Sequence, residues 1–206
     1  ITIFSKQAVF PLGDASVTLL DTPGHVDFSA EMERTLQVLD YAVLIVSGAD
    51  GVQGHTETLW RLLRRYRIPV FIFVNKMDQK WTDRDAVLAS LKERLDHGVV
   101  DFSGVIGNED VLTFSASAEP FAAVCRDPEE AAEEIATCDE ALLEAYLADG
   151  TLKTDDVRKV IHDRKLFPCF FGSALKLSGV REFLTALGEF ASCPDYTKDF
   201  GAKVFK

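Results

Sequence analysis

Four short, unbroken apolar runs punctuate the chain: Val17–Asp21 (VTLLD), Ala42–Ser47 (AVLIVS), Val70–Asn75 (VFIFVN) and Phe167–Gly172 (FPCFFG). A strand with one wet face alternates apolar and polar side chains. Runs without alternation predict strands covered on both faces, as in a parallel sheet. The intervals between them carry helical spacing instead. Phe28, Met32, Leu36 and Leu39 recur between the first two runs; Leu59, Leu62, Leu63 and Tyr66 do so between the second and third, until Pro69 stops that helix. Val180, Phe183, Leu184 and Leu187 follow the fourth run. Strand and helix in alternation predict an α/β fold, a mostly parallel sheet flanked by helices. Ile1–Phe10 leads through the turn-rich Pro11-Leu12-Gly13-Asp14 into the first run, so these two segments should pair antiparallel as an edge hairpin.

The rhythm breaks from about Asp83 to Lys165. Two helices (near 84–96 and 139–148) and a third amphipathic piece near 154–164 predict a helical insertion between the third and fourth runs. Within it, Arg126 to Glu144 holds eight acids and one base; this block reads as a solvated helical face in preference to an acidic docking surface. From Pro194 the chain reads as a linker running into a further strand, Ala202–Lys206.

Composition sharpens this picture. With 206 residues, 47% of them apolar and 15 of them Phe, the chain can build a packed core and is neither disordered nor collagen-like. A net charge of −11 makes the surface repel nucleic acid and anionic lipid, which argues against DNA as a partner and confines any RNA contact to a local patch or to other parts of a larger protein. No apolar run approaches the roughly 20 residues that span a bilayer, so no membrane is expected. The chain opens without a basic-then-apolar leader, and a start at Ile1 rather than Met suggests residues missing upstream. Cys125, Cys138, Cys169 and Cys193 form no C-x-x-C pair and read as free, mostly buried thiols of a reducing compartment.

Three short sequences stand at predicted strand ends, where an open α/β sheet places its ligands. After VTLLD comes Asp21-Thr22-Pro23-Gly24-His25. An Asp ending a strand can reach a hydrated cation, and the Pro-Gly step lets a backbone N–H approach an anion closely. After VFIFV comes Asn75-Lys76-Met77-Asp78. A carboxylate there can accept from guanine N1–H and N2–H2 together, a pair of donors that adenine lacks; the Lys stem can lie along the purine face, and the Asn can tie neighbouring loops. After FPCFF comes Gly172-Ser173-Ala174-Leu175-Lys176, small residues whose amides can approach a ring carbonyl such as guanine O6. His55, His97 and His162 lack such context and read as surface or capping residues; Arg61, Arg64, Arg65 and Arg67 read as a solvated helix face in preference to an RNA contact.

D-T-P-G, N-K-x-D and S-A-L, in this order, resemble the third, fourth and fifth signature motifs of the translational GTPases. DTPGHVDF, VLDYAVLIVSGADGVQGHTETLW, IPVFIFVNKMD, DEALLEAYLADG, FPCFFGSAL and GAKVFK extend the similarity, to elongation factor G and to the tetracycline-resistance ribosomal protection proteins alike. The resemblance implies a P-loop GTPase-like domain over residues 1–196 with its helical insertion at about 83–165, then a linker and the start of a following β domain over 197–206. It implies GTP or GDP as ligand with Mg2+, GTPase activity in the intact parent, the ribosome as partner and a cytoplasmic location. Residue by residue, Thr2 and Asp21 match the Mg2+ ligands, and Gly24 matches the amide donor to the γ-phosphate. His25 matches the residue that orients the attacking water. Asn75, Lys76 and Asp78 match the base-reading loop; Ser173 and Ala174 match the loop over O6, with Leu175 flanking.

One departure stands out. The sequence contains no G-x-x-x-x-G-K-[ST], the loop that supplies the amide nest and Lys for the phosphates, and the first strand of the sheet belongs with it. The fragment alone is therefore expected to be inactive. The alternative is a non-catalytic, partner-binding module with a degenerate GTPase fold.

Overall fold

The computed structural model describes residues 6–13, 15–22, 29–107, 110–114 and 127–192. At its centre is a parallel sheet ordered β3(Ala42–Ser47), β4(Val70–Asn75), β8(Phe167–Phe171) and β5(Val99–Asp101). β1(Lys6–Leu12) and β2(Ala15–Asp21) form the antiparallel hairpin anticipated from the turn, but as a separate two-stranded sheet and not at the edge of the main one. The helices α1(Ser29–Leu36), α2(Gly54–Arg65), α3(Arg84–Arg94), α4(Pro128–Ala136), α5(Glu140–Asp149), α6(Thr154–His162) and α7(Val180–Phe190) flank the sheet.

Period-two alternation within β4 sorts its side chains onto two cores. Val70, Ile72 and Val74 face α2 and α3 through Trp60, Leu63, Val87 and Leu91. Phe71 and Phe73 face the other way, into a layer that includes Ile135, Ile161, Phe183 and Phe190. Aromatic edge-to-face contacts knit that layer: Phe183 lies 5.4 Å from both Phe73 and Phe170, and Phe102 lies 5.4 Å from Phe190. β4 and β8 are covered on both faces, as their unbroken apolar runs require.

The other two runs behave differently. Val17–Asp21 is a strand, but β2 pairs with β1 alone and neither of its faces is fully covered. Between the hairpin and β3 lies a mostly apolar groove of about 620 Å3, lined by Val17, Leu19, Met32, Leu36, Ala42 and Leu59 among others. β3 ends the sheet on this side, and only one of its faces is sealed: Leu44 and Val46 are buried while Ile45 is 58% exposed. Both runs have core composition. Among the described residues, no strand or helix fills the gap that would cover them. The hairpin is anchored elsewhere, where Leu12 rests against Gly188 of α7; a Cβ at 188 would sit 3.3 Å from Leu12 Cγ.

Residues 83–165 contain the expected helices at 84–94, 140–149 and 154–162. They also contain α4, in the acidic block that reads from the sequence as a solvated helical face, and three short strands. β5 extends the main sheet beside β8, while β6(Val105–Gly107) and β7(Leu112–Phe114) pair antiparallel. α4 is not solvated all round: one face is buried, a stripe that is mostly Ala (Ala131, Ala132, Ile135, Ala136) and so carries little hydrophobic contrast in the sequence. Asp127 caps its first turn through Glu129 N–H, with Pro128 at the helix start. Cys138 and Cys169 are free thiols; burial pushes Cys138 up to about 12 and Cys169 well above its ordinary value, so neither is a ready nucleophile. Cys125, Cys193 and the segment from Pro194 lie outside the described residues.

Candidate base-reading site

Parallel register brings two strand tips side by side. Val74 of β4 pairs with Phe171 of β8, so the loops beginning at Asn75 and Gly172 leave the sheet together. Gly172 N–H donates to Val74 O at 2.9 Å, and Met77 N–H donates back to Gly172 O at 3.0 Å, lacing the two loops at their roots. Asn75 carries the lacing outward. Its Oδ1 accepts from Lys76 N–H at 2.8 Å and from Ala174 N–H at 2.9 Å, so one side chain fixes both loops. Lys76 is held at φ 65°, a left-handed conformation a lysine adopts only under constraint, and this bend turns the chain toward Asp78.

Two side chains of the second loop converge on Asp78. The Ser173 hydroxyl donates to its carboxylate, and Lys176 Nζ stands 3.7 Å from Oδ2. The Ser173 hydrogen bond, foremost, holds the Asp78 carboxyl below the usual carboxylate range; partial burial opposes this, and Asp78's own backbone N–H and Lys176 reinforce it. The carboxylate therefore stays ionised and acceptor-only, the state that a pair of adjacent N–H donors demands. Thr82 braces the first loop from below, its hydroxyl 3.0 Å from both Met77 O and Gln79 O. Asp83 then caps α3 through Ala86 N–H.

Asn75, Lys76, Asp78, Ser173, Ala174 and Leu175 share one loop pair at one end of the sheet; Ser173 is fully buried and Leu175 is exposed. The Ser173 amide is engaged by Ser178 O at 3.0 Å and the Ala174 amide by Asn75, so within the protein Ser173 acts on Asp78 through its hydroxyl. Asp21 stands exposed at the last position of β2. Thr2, Gly24 and His25 lie outside the described residues. Sequence reasoning gave no role to Thr82 and only quoted Lys176 within its loop. Lys176 follows S-A-L directly, and that adjacency was the available signal.

Gly172 is a position where only glycine fits. A Cβ there would lie 2.3 Å from Ser178 O and 2.9 Å from Phe73 Cζ, and the first of these is backbone that cannot step aside. Gly172→Ala should therefore separate the two loops and lower the thermal midpoint by several degrees, corresponding to about 1–3 kcal/mol for a forced overpacking. Differential scanning calorimetry checks this, and an unchanged midpoint would mean that the loops are not laced as described.

A parallel sheet with helices on both sides and paired loops at its strand tips defines an α/β domain with the fold of a GTPase. A family model described as the elongation factor Tu GTP binding domain matches residues 1–192. The chain belongs to that family. It is 40% identical to the tetracycline resistance protein TetM of Streptomyces lividans over 91% of its own length and 29% of that protein's. It is 34% identical to elongation factor G of Mycoplasma genitalium, over 94% of its length and 32% of that protein's. A crystal structure of a Thermus thermophilus protein superposes with a TM-score of 0.72 at 25% identity, covering 93% of this chain and 32% of that one. The chain thus spans about a third of the length of these relatives. Among the described residues, no helix is long and apolar enough to cross a membrane.

Proposed function

We propose that this chain is the guanine-nucleotide-binding part of a ribosome-associated translation factor of the cytoplasm, one that hydrolyses GTP to drive a conformational switch. The convergence of Ser173 and Lys176 on Asp78, with Asn75 joining both loops, is the observation that carries the reading. An ionised carboxylate at the mouth of two laced loops can take both N1–H and N2–H2 of guanine and offers nothing to adenine. Asp21, an exposed hard oxygen donor at a strand tip, suits a hydrated Mg2+, which would neutralise phosphate charge when bound. Thr2 would complete that metal's protein ligands, the Gly24 amide would face the γ-phosphate, and His25 would orient the attacking water. Positioning of this kind is most of what phosphoryl-transfer catalysis needs from a protein.

The test of the base site needs no phosphate loop. Saturation-transfer NMR with GMP and AMP should show GMP preferred by about tenfold or more, since adenine leaves the carboxylate unpaired. Equal binding of both, or of neither, would remove the base-reading assignment. The second reading, a binding module that does not turn nucleotide over, draws on the missing G-x-x-x-x-G-K-[ST] within these 206 residues. The coding sequence upstream of Ile1 separates the two: that motif there supports the GTPase, and a coding start at Ile1 supports the module.

A further inference from the structure

Lys176 lies one residue beyond the S-A-L sequence, and its side chain reaches back across the loop pair to Asp78. The two residues sit differently. The Asp78 side chain is 15% exposed, whereas that of Lys176 is 56% exposed. The backbone beneath Lys176 is fixed: its N–H donates to Ser173 O at 3.2 Å, and Ser178 and Ser173 exchange two backbone hydrogen bonds across the turn. The ammonium thus hangs from an anchored turn and has its counter-charge at 3.7 Å. Ser173 reaches the same carboxylate from the same turn. One donor sets a direction for a carboxylate, and a second, charged one narrows both its rotation and its proton affinity.

We propose that Lys176 is a positioning residue for base recognition: its ammonium holds the Asp78 carboxylate in the orientation and charge state that accepts both donors of a guanine edge. The inference rests on the base-reading assignment of Asp78 made above. Lys176 touches no base atom in this role; it acts through Asp78. A partly exposed pair contributes modestly, so the expected effect is a graded one that depends on pH and salt.

The experiment compares the wild-type chain with Lys176→Met and Lys176→Arg, using GMP as the probe and following the Asp78 carboxyl carbon by NMR. GMP binding requires the ionised carboxylate and is lost as pH falls through the Asp78 titration. Lys176→Met should raise that titration, weaken GMP about two- to fivefold near its midpoint, and move the acid limb of the binding curve to higher pH. Lys176→Arg should restore both. Added salt should raise the Asp78 titration in the wild type and leave it unmoved in Lys176→Met. If the wild type prefers GMP to AMP but Lys176→Met leaves the binding curve unchanged, or Lys176→Arg behaves like Met, the role of Lys176 is refuted and the base-reading assignment stands. If the wild type shows no GMP preference, the assignment of Asp78 fails and this proposal fails with it.

Discussion

Asp78→Asn should convert a site that prefers guanine into one that prefers xanthine. In the proposed site guanine would present N1–H and N2–H2 to the carboxylate, and the ion can accept both at once. An amide in its place offers one acceptor and one donor: the acceptor still serves N1–H, while the donor now faces N2–H2 and repels it. Xanthine carries a carbonyl at that position and accepts the new donor. The site discriminates through charged or partly buried hydrogen-bonding groups, where leaving a partner unmatched is expensive, so GMP should weaken by about a hundredfold or more relative to XMP. The surroundings help confine the change to the base edge. Ser173 can donate to the amide oxygen as it does to the carboxylate, and Asn75 still laces the loops through Ala174 N–H. Competition between GMP and XMP, read by saturation-transfer NMR on the folded variant, measures the switch. Unchanged preference would show that Asp78 does not face the base.

The parts of this molecule that the sequence disclosed are those whose physics is local. VFIFVN and FPCFFG announce strands covered on both faces because no polar residue interrupts them, and β4 and β8 are so covered. N-K-M-D and S-A-L stand directly at the ends of those strands, and parallel register alone places them side by side. VTLLD and AVLIVS carry the same signal. Yet β2 stands off the main sheet and β3 keeps Ile45 exposed, because apolar composition records what a face can bury and not whether a neighbour is present. Trp60 shows a related limit: it sits between Leu59 and Leu62 on α2, outside the helical spacing read from the sequence, yet it is buried and lies edge-on to Phe167, 4.8 Å between ring centroids. β5 was hidden for another reason. Three residues, Val99–Asp101, are too few for periodicity to register, and its pairing with β8 joins positions far apart in the chain. Thr82 acts through hydroxyl-to-carbonyl contacts within its own loop and Lys176 through an ammonium-to-carboxylate contact between loops, neither of which a residue pattern encodes.

Arg84→Met should be among the most destabilising substitutions of a charged residue in this chain. Arg84 opens α3 immediately after the loop that carries Asp78 and its Thr82 brace, and its guanidinium pairs with Asp101 at the end of β5, both Nε and Nη2 reaching Oδ2. The two side chains are only 10% and 3% exposed, and the guanidinium also lies 4.5 Å from the centre of the Phe171 ring. Removing the cation leaves a nearly inaccessible carboxylate without that counter-charge, while Ser103 N–H still donates to its other oxygen at 3.0 Å. Breaking such a pair from one side costs about 3–5 kcal/mol, because the charge left behind has lost both its solvent and its cation. The cost belongs to the orphaned charge rather than to the strength of the bridge, which yields a second, sharper expectation. Arg84→Met combined with Asp101→Leu should recover most of the loss, since methionine and leucine can pack where two desolvated ions stood. Recovery should be incomplete, because Ser103 N–H then loses its acceptor. Urea denaturation of the wild type, both single variants and the double variant measures the whole cycle. A loss below about 1 kcal/mol for Arg84→Met would place the pair among surface salt bridges. A double variant no more stable than Arg84→Met would show that the lost stability lay in the stacking on Phe171 and the anchoring of α3, with the buried charge of Asp101 a minor part.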